Sequence, residues 1–173
     1  MTSSSGTDQV LRLADAAPDR KEHAHFCSRC GAPAPERAPI GAQPDSGRVC
    51  PTCGLGLVLF CPADARPAKG APFLVVKDDL RISAVSEAAE RIFGNEDSLL
   101  GTLLLSSMSS AVGDDTLART VASAARGTRE VSTLPIYAAA ATARRGAGLE
   151  ARIASCWPPR GALVLVDTVL AAR

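Results

Sequence analysis

The chain has 173 residues, 46% of them hydrophobic and 21% charged, and a formal net charge of +1. That length allows one full domain and a smaller companion, and the composition is that of a globular protein. Residues 1–70 carry eight Lys/Arg against seven Asp/Glu, and residues 71–173 carry eleven of each, so neither half has the basic excess that binding to a polyanion needs.

Two further classes are set aside at once. No apolar run approaches the ~18 residues of a membrane span. The start, Met1-Thr2-Ser3-Ser4-Ser5-Gly6, lacks the basic and then apolar pattern of a secretory leader. Both readings point to the cytoplasm, with no membrane contact.

In chain order, residues 1–26 read as a flexible polar tail. Val10, Leu13, Ala14 and Ala17 would share one face of a helix, but isolated helices below ~12–15 residues are marginal in water. Two cysteine pairs follow, Cys27-Ser28-Arg29-Cys30 and Cys50-Pro51-Thr52-Cys53-Gly54, with 19 residues between Cys30 and Cys50. This spacing is that of a four-thiolate zinc site. Each pair can wrap one side of a tetrahedral ion at Zn–S distances of about 2.3 Å, and the two together close its coordination sphere. Cys27, Cys30, Cys50 and Cys53 are the expected ligands of one structural Zn2+, in a site with no open position for chemistry. Disulfides belong to oxidising compartments and do not suit a chain read as cytoplasmic.

The other thiols and the two imidazoles are weighed against this set. Cys61, close after the second pair, is either a substitute ligand or a small buried residue, and Cys156 is expected to pack in a strand. His23 and His25 precede the first pair. Four thiolates already complete the site, so these histidines are expected to be solvated.

The segment between the pairs is rich in Pro and Gly, including Pro33, Pro35, Pro39, Pro44 and Gly41, and is expected to be loop. Residues 55–60, Leu-Gly-Leu-Val-Leu-Phe, read as a strand. Knuckle, loop, knuckle and strand over residues 27–61 resemble a zinc ribbon. A unit of this size buries too little surface to fold unaided, so the metal has to supply what the core lacks. Residues 62–71, with Pro62, Pro67 and several alanines, read as a linker that extends at most about 3 Å per residue.

From Pro72 the pattern changes. Phe73-Leu74-Val75-Val76 and residues 80–85 read as a hairpin about the turn Lys77-Asp78-Asp79. Ser86 is placed to cap a helix over 87–93, which Gly94 ends. A short helix at 96–100 stops at Gly101, and an apolar run follows at Leu103-Leu104-Leu105. A longer helix starts at Asp114 or Asp115, with Leu117, Val121 and Ala124 as its apolar stripe and Gly127 as its end. Strands are predicted at 129–137, 149–157 and 161–170, with a low-complexity loop over 138–148. The expected fold class is α+β, a five-stranded antiparallel sheet with helices on one face, preceded by the four-cysteine ribbon.

Phe73-Leu74-Val75-Val76, Arg81-Ile82, Val85-Ser86, Ala88-Ala89-Glu90, Phe93-Gly94 and Leu100-Gly101 resemble the PAS family. The resemblance covers residues 72–170, and beyond Gly101 it rests on element order. Where the family usually has Asn, this chain has Ser86, another N-cap residue. Such a domain is expected to own its core, so residues 71–173 should fold alone.

The resemblance implies a domain that senses a small ligand or binds a protein. Haem-binding members usually use a histidine, and both histidines here lie outside residues 72–170. Met108, Cys156 and Tyr137 are alternative iron ligands better explained by core packing. The Asn-Cys-Arg motif of flavin-binding light sensors is absent from the sequence. No haem or flavin is expected.

The interior is expected either to be filled by its own Leu, Val, Ile and Ala or to leave a small apolar pocket. Asp78-Asp79 and Asp114-Asp115 sit where turn formers and helix-dipole partners belong, so no catalytic residue is assigned and no enzyme is expected. The expected function is a regulatory PAS protein with a structural ribbon, acting on a protein partner or as a homodimer through the open sheet face. Two alternatives are a transcription-linked regulator whose ribbon touches nucleic acid or polymerase, and a thiol switch that releases zinc on oxidation. Nucleic acid is disfavoured, since residues 27–61 hold Arg29, Arg37 and Arg48 against Glu36 and Asp45.

Overall fold

The computed structural model describes residues 23–34, 48–128, 130–139 and 148–169. The helical spacing within 1–22, most of the Pro-rich loop between the cysteine pairs and the loop over 140–147 lie outside the described residues.

The centre of the fold is a strand that is apolar at every position. Phe73–Val76 (β3) is buried throughout, because both its faces are covered. Leu74 and Val76 join one apolar cluster, Phe73 and Val75 another. Continuous apolar runs mark strands with two buried faces. The same division runs along Gly161–Val169 (β8), where Ala162, Val164 and Val166 face one cluster and Leu163 and Leu165 the other.

β3 pairs with Ile82–Val85 (β4) and with β8, and β8 pairs with Gly148–Cys156 (β7). Ser132–Ala138 (β6) and Met108–Ser110 (β5) extend the sheet, giving the antiparallel order β4-β3-β8-β7-β6-β5. This adds one strand to the expected five. β5 escapes sequence reading because three residues, Met-Ser-Ser, are too few to show alternation. The neighbouring Leu103-Leu104-Leu105, the stronger apolar signal, instead forms a bridge from Leu103 to Arg81 and a tight turn at Leu104–Ser106.

A bulge shapes the hairpin. Val75 pairs with Ala84 and Val76 with Ile82, so Ser83 is an extra residue, and its hydroxyl donates to the Val75 carbonyl at 3.1 Å. An added residue reverses the facing of those beyond it, which turns both Ile82 and Val85 toward the helical layer. Leu80 takes φ 64° in the turn, a left-handed conformation without glycine.

One face of the sheet carries Glu87–Phe93 (α1), Glu96–Leu99 (α2) and Asp114–Ala125 (α3). Ser86 starts α1 as expected. Its Oγ accepts from the Ala89 N–H at 3.3 Å and the Phe73 N–H at 2.9 Å, and donates to the Ala71 carbonyl at 3.2 Å. One buried hydroxyl thus ties the start of β3 to the start of α1. Leu117, Val121, Ala124 and Ala125 form the buried stripe of α3.

The opposite face was expected to be open and is partly closed. His23–Cys27 (β1) pairs with Val58–Pro62 (β2) as a two-stranded sheet. Its inner residues Phe26, Leu59 and Cys61 pack on Phe73, Val75, Cys156, Leu163 and Leu165. Phe26 meets Phe73 edge to face, with ring centroids 5.6 Å apart. Phe60 and Trp157 exchange backbone hydrogen bonds of 2.7 and 2.9 Å, and their rings stack at 5.3 Å. At the rim, Arg152 donates to Asp167 and to the Asp64 carbonyl. Beyond it, Thr133, Pro135 and Tyr137 on β6 stay exposed. The segment read as a linker is pinned as well, with Ala65 and Pro67 buried and the Gly70 N–H donating to the Cys30 carbonyl at 3.0 Å.

Candidate metal centre

The two cysteine pairs build the same turn twice. Each reads Cys-x-x-Cys-Gly, and Gly31 and Gly54 both take φ 69°, a conformation that costs other residues about 1 kcal/mol or more. The Gly31 N–H returns to the Cys27 carbonyl at 3.0 Å, and the Gly54 N–H to the Cys50 carbonyl at 2.9 Å. The turns aim main-chain N–H groups at sulfur. Arg29 N–H reaches Cys27 Sγ at 3.3 Å, Thr52 N–H reaches Cys50 Sγ at 3.3 Å and Gly56 N–H reaches Cys53 Sγ at 3.5 Å. Such donors favour the charged thiolate that a metal requires.

The knuckles meet through backbone. Ser28 N–H donates to the Leu57 carbonyl at 2.8 Å, and Leu57 N–H donates to Ser28 Oγ at 3.0 Å. Gly56 lies in the contact. A Cβ there would overlap Cys27 Sγ and stand 2.8 Å from the Arg29 backbone nitrogen.

All four ligand sulfurs, of Cys27, Cys30, Cys50 and Cys53, lie within 4.8 Å of one another, and Cys27 Sγ is 3.6 Å from Cys53 Sγ. A tetrahedron with bonds of ~2.3 Å has edges of about 3.8 Å. The four-sulfur donor set and its spacing fit a structural zinc ion. Such an ion would be fully ligated by protein and would join two knuckles that share only a few hydrogen bonds. Without a metal the thiols are unequal. Burial pushes Cys27 up to about 12, while the N–H groups of Gly56 and Leu55 draw Cys53 down to about 6.

The other sequence candidates lie elsewhere. His23 and His25, expected to be solvated, are half-buried on the outer face of β1. There His23 meets Phe60 and Trp157 edge on, and His25 leans on Phe60. Cys61 and Cys156 are fully buried in the contact between ribbon and sheet, and burial pushes both thiols up to about 12. Met108 is buried, as core packing requires, but Tyr137 is 56% exposed and does not belong to the core. Between helices and sheet, Leu, Val, Ile and Ala side chains pack in one cluster. A shallow groove of about 290 Å³ lies beside α2, lined by Phe93, Ser98, Leu99, Thr102, Ser106, Ser107 and Ala139, and its lining is more hydroxylic than the apolar pocket considered above.

One residue of the site gave no sequence signal of its role. Arg29, between the first two ligands, enters the sequence reading only in the charge balance of residues 27–61. Its Nη1 donates to Glu96 at 2.8 Å and its Nη2 to Glu90 at 3.1 Å. The partners lie 67 and 61 residues away, so no local pattern could link them.

The architecture is that of a zinc ribbon followed by a PAS-like domain. Among the described residues no helix is long and apolar enough to cross a membrane. No family model and no curated protein matches the chain.

Proposed function

We propose that the protein is a regulatory module without catalytic activity, in which a structural zinc ion holds a ribbon against a PAS-like domain that signals by binding another protein. The fold and the metal-binding cluster suit a regulatory or sensory zinc-binding module. The observation that carries the finer reading is the engagement of the ribbon inside the molecule. Its inner face is buried on the sheet, and Arg29 is engaged with Glu90 and Glu96. The engagement of Arg29 inside the molecule takes one of the ribbon's cations away from phosphate contacts, which require free Lys and Arg. The exposed remainder of the sheet, with Thr133, Pro135 and Tyr137, is the surface on which a protein partner or second copy would act. A cytoplasmic setting suits the reduced thiols.

The test is affinity capture with the full chain, wild type beside Cys30→Ser, together with binding to duplex DNA over a salt series. The expected result is one defined protein partner, retained at salt that strips nucleic acid and lost in Cys30→Ser. Submicromolar DNA binding at physiological salt, weakening steeply as salt rises, would replace this reading with a nucleic-acid role.

A further inference from the structure

Arg29 joins the metal centre to the helical layer through three kinds of bond. Its N–H donates to Cys27 Sγ at 3.3 Å. Its carbonyl accepts from the Glu87 N–H at 3.0 Å. Glu87 opens α1, where N–H groups have no partner within the helix. Its guanidinium bonds Glu90 on α1 and Glu96 on α2, and Glu90 Oε1 accepts from the Glu96 N–H at 3.0 Å, closing the junction between the helices. The neighbouring backbone fits equally closely, since a Cβ on Gly31 would stand 2.6 Å from the Ala68 carbonyl oxygen.

These contacts require one backbone conformation of the first knuckle. That is the conformation that turns Cys27 and Cys30 toward a shared ion. We propose that Arg29, Glu90 and Glu96 are positioning residues of the metal site, so that metal occupancy orders the α1–α2 junction and the junction in turn sets metal retention. A coupling free energy between two sites acts equally in both directions. Loss of the ion frees the knuckle, withdraws the carbonyl from Glu87 and leaves Glu90 and Glu96 facing each other without their cation. Neutralising the two carboxylates weakens the same coupling from the other end. The junction also borders the groove beside α2, whose wall includes Phe93, Ser98 and Leu99, so the ion would control the shape of that surface. This inference rests on the cysteine tetrad holding a metal.

The experiment uses the full chain and Zn2+ itself. Zinc affinity is measured by competition with a chromophoric chelator for wild type, the double variant Glu90→Gln/Glu96→Gln, Arg29→Lys and the control Asp115→Asn on α3. Amide hydrogen exchange is followed over residues 87–99 with and without zinc. The double variant and Arg29→Lys should hold zinc about fivefold or more weakly, the lower end of ordinary coupling energies, while the control matches wild type. In the wild type, zinc removal should speed exchange over 87–99, and in the double variant that dependence should shrink. Equal affinity in wild type and double variant, or wild-type exchange over 87–99 that ignores zinc, would overturn the proposal. The exchange comparison needs only wild type, so it can overturn the proposal even if a variant fails to fold. A reduced wild type that binds no zinc would remove the metal reading as well, whereas tight zinc binding with an indifferent α1–α2 junction removes the coupling alone.

Discussion

At the scale of single residues, the metal centre depends on atoms that are absent as much as on the four sulfurs. Gly56 lets the second knuckle pass over Cys27 Sγ and the Arg29 backbone. Gly56→Ala places a methyl against backbone that cannot turn aside, so the variant should lose about 1–3 kcal/mol, the usual range for overpacking, and should hold less zinc. Denaturant melts and metal content per chain would check both. A variant with unchanged melting and full zinc would place the knuckles farther apart than described.

Glu90 allows a test by pH. Its carboxyl is held below the ordinary range, first by the Glu96 N–H and then by Arg29. A carboxylate with a lowered folded pKa contributes stability that is present above its unfolded value, about 4.3, and is lost as pH falls through the folded value. Wild type should therefore melt above Glu90→Gln at neutral pH, and the gap should close as pH drops below about 4. A gap constant over that window would mean that charge on Glu90 is not what holds the junction.

At the scale of elements, sequence reading succeeds where one local rule governs. Ser86 followed by Glu87 and Ala89 gives the cap and start of α1 in their observed places, because capping involves atoms within one turn. Ser86→Ala should cost about 1–2 kcal/mol for the cap. It should cost somewhat more than a simple cap, because the Phe73 N–H would also lose its partner in a buried setting. Equilibrium unfolding would measure the loss, and a cost near zero would show that water replaces the hydroxyl. The alternation over 80–85 found a strand but not the bulge at Ser83. The bulge depends on pairing with β3, and pairing is not a property of one segment.

At the scale of the whole molecule, the ribbon and the PAS-like domain share a buried face. The expectation that residues 71–173 fold independently can be tested on this ground. Cut free of the ribbon, that segment would expose Phe73, Val75, Cys156, Leu163 and Leu165, all buried in the full chain. Contiguous apolar surface of this kind promotes association. Residues 71–173 alone should melt at lower temperature than the full chain, bind a hydrophobic dye and self-associate, as light scattering would record. A monodisperse fragment with the full chain's melting temperature would restore the two units as independent.

The sequence by itself determined the four-cysteine cluster, the Ser86 cap of α1, the order of the helices and of five of the main sheet's six strands, and the α+β class. Each follows from short-range constraints: the reach of two Cys-x-x-Cys turns around one ion, the partnerless N–H groups at a helix start, and the side-chain periods of strand and helix. The apolar runs at Phe73–Val76 and along residues 162–166 are those of strands buried on both faces, yet the sequence reading left one sheet face open. Only the tertiary structure decided that the covering element is the ribbon, that β5 joins the sheet edge, and that Arg29 reaches Glu90 and Glu96. Those outcomes join residues tens of positions apart, and they depend on which surfaces bury most together rather than on any pattern a local segment carries.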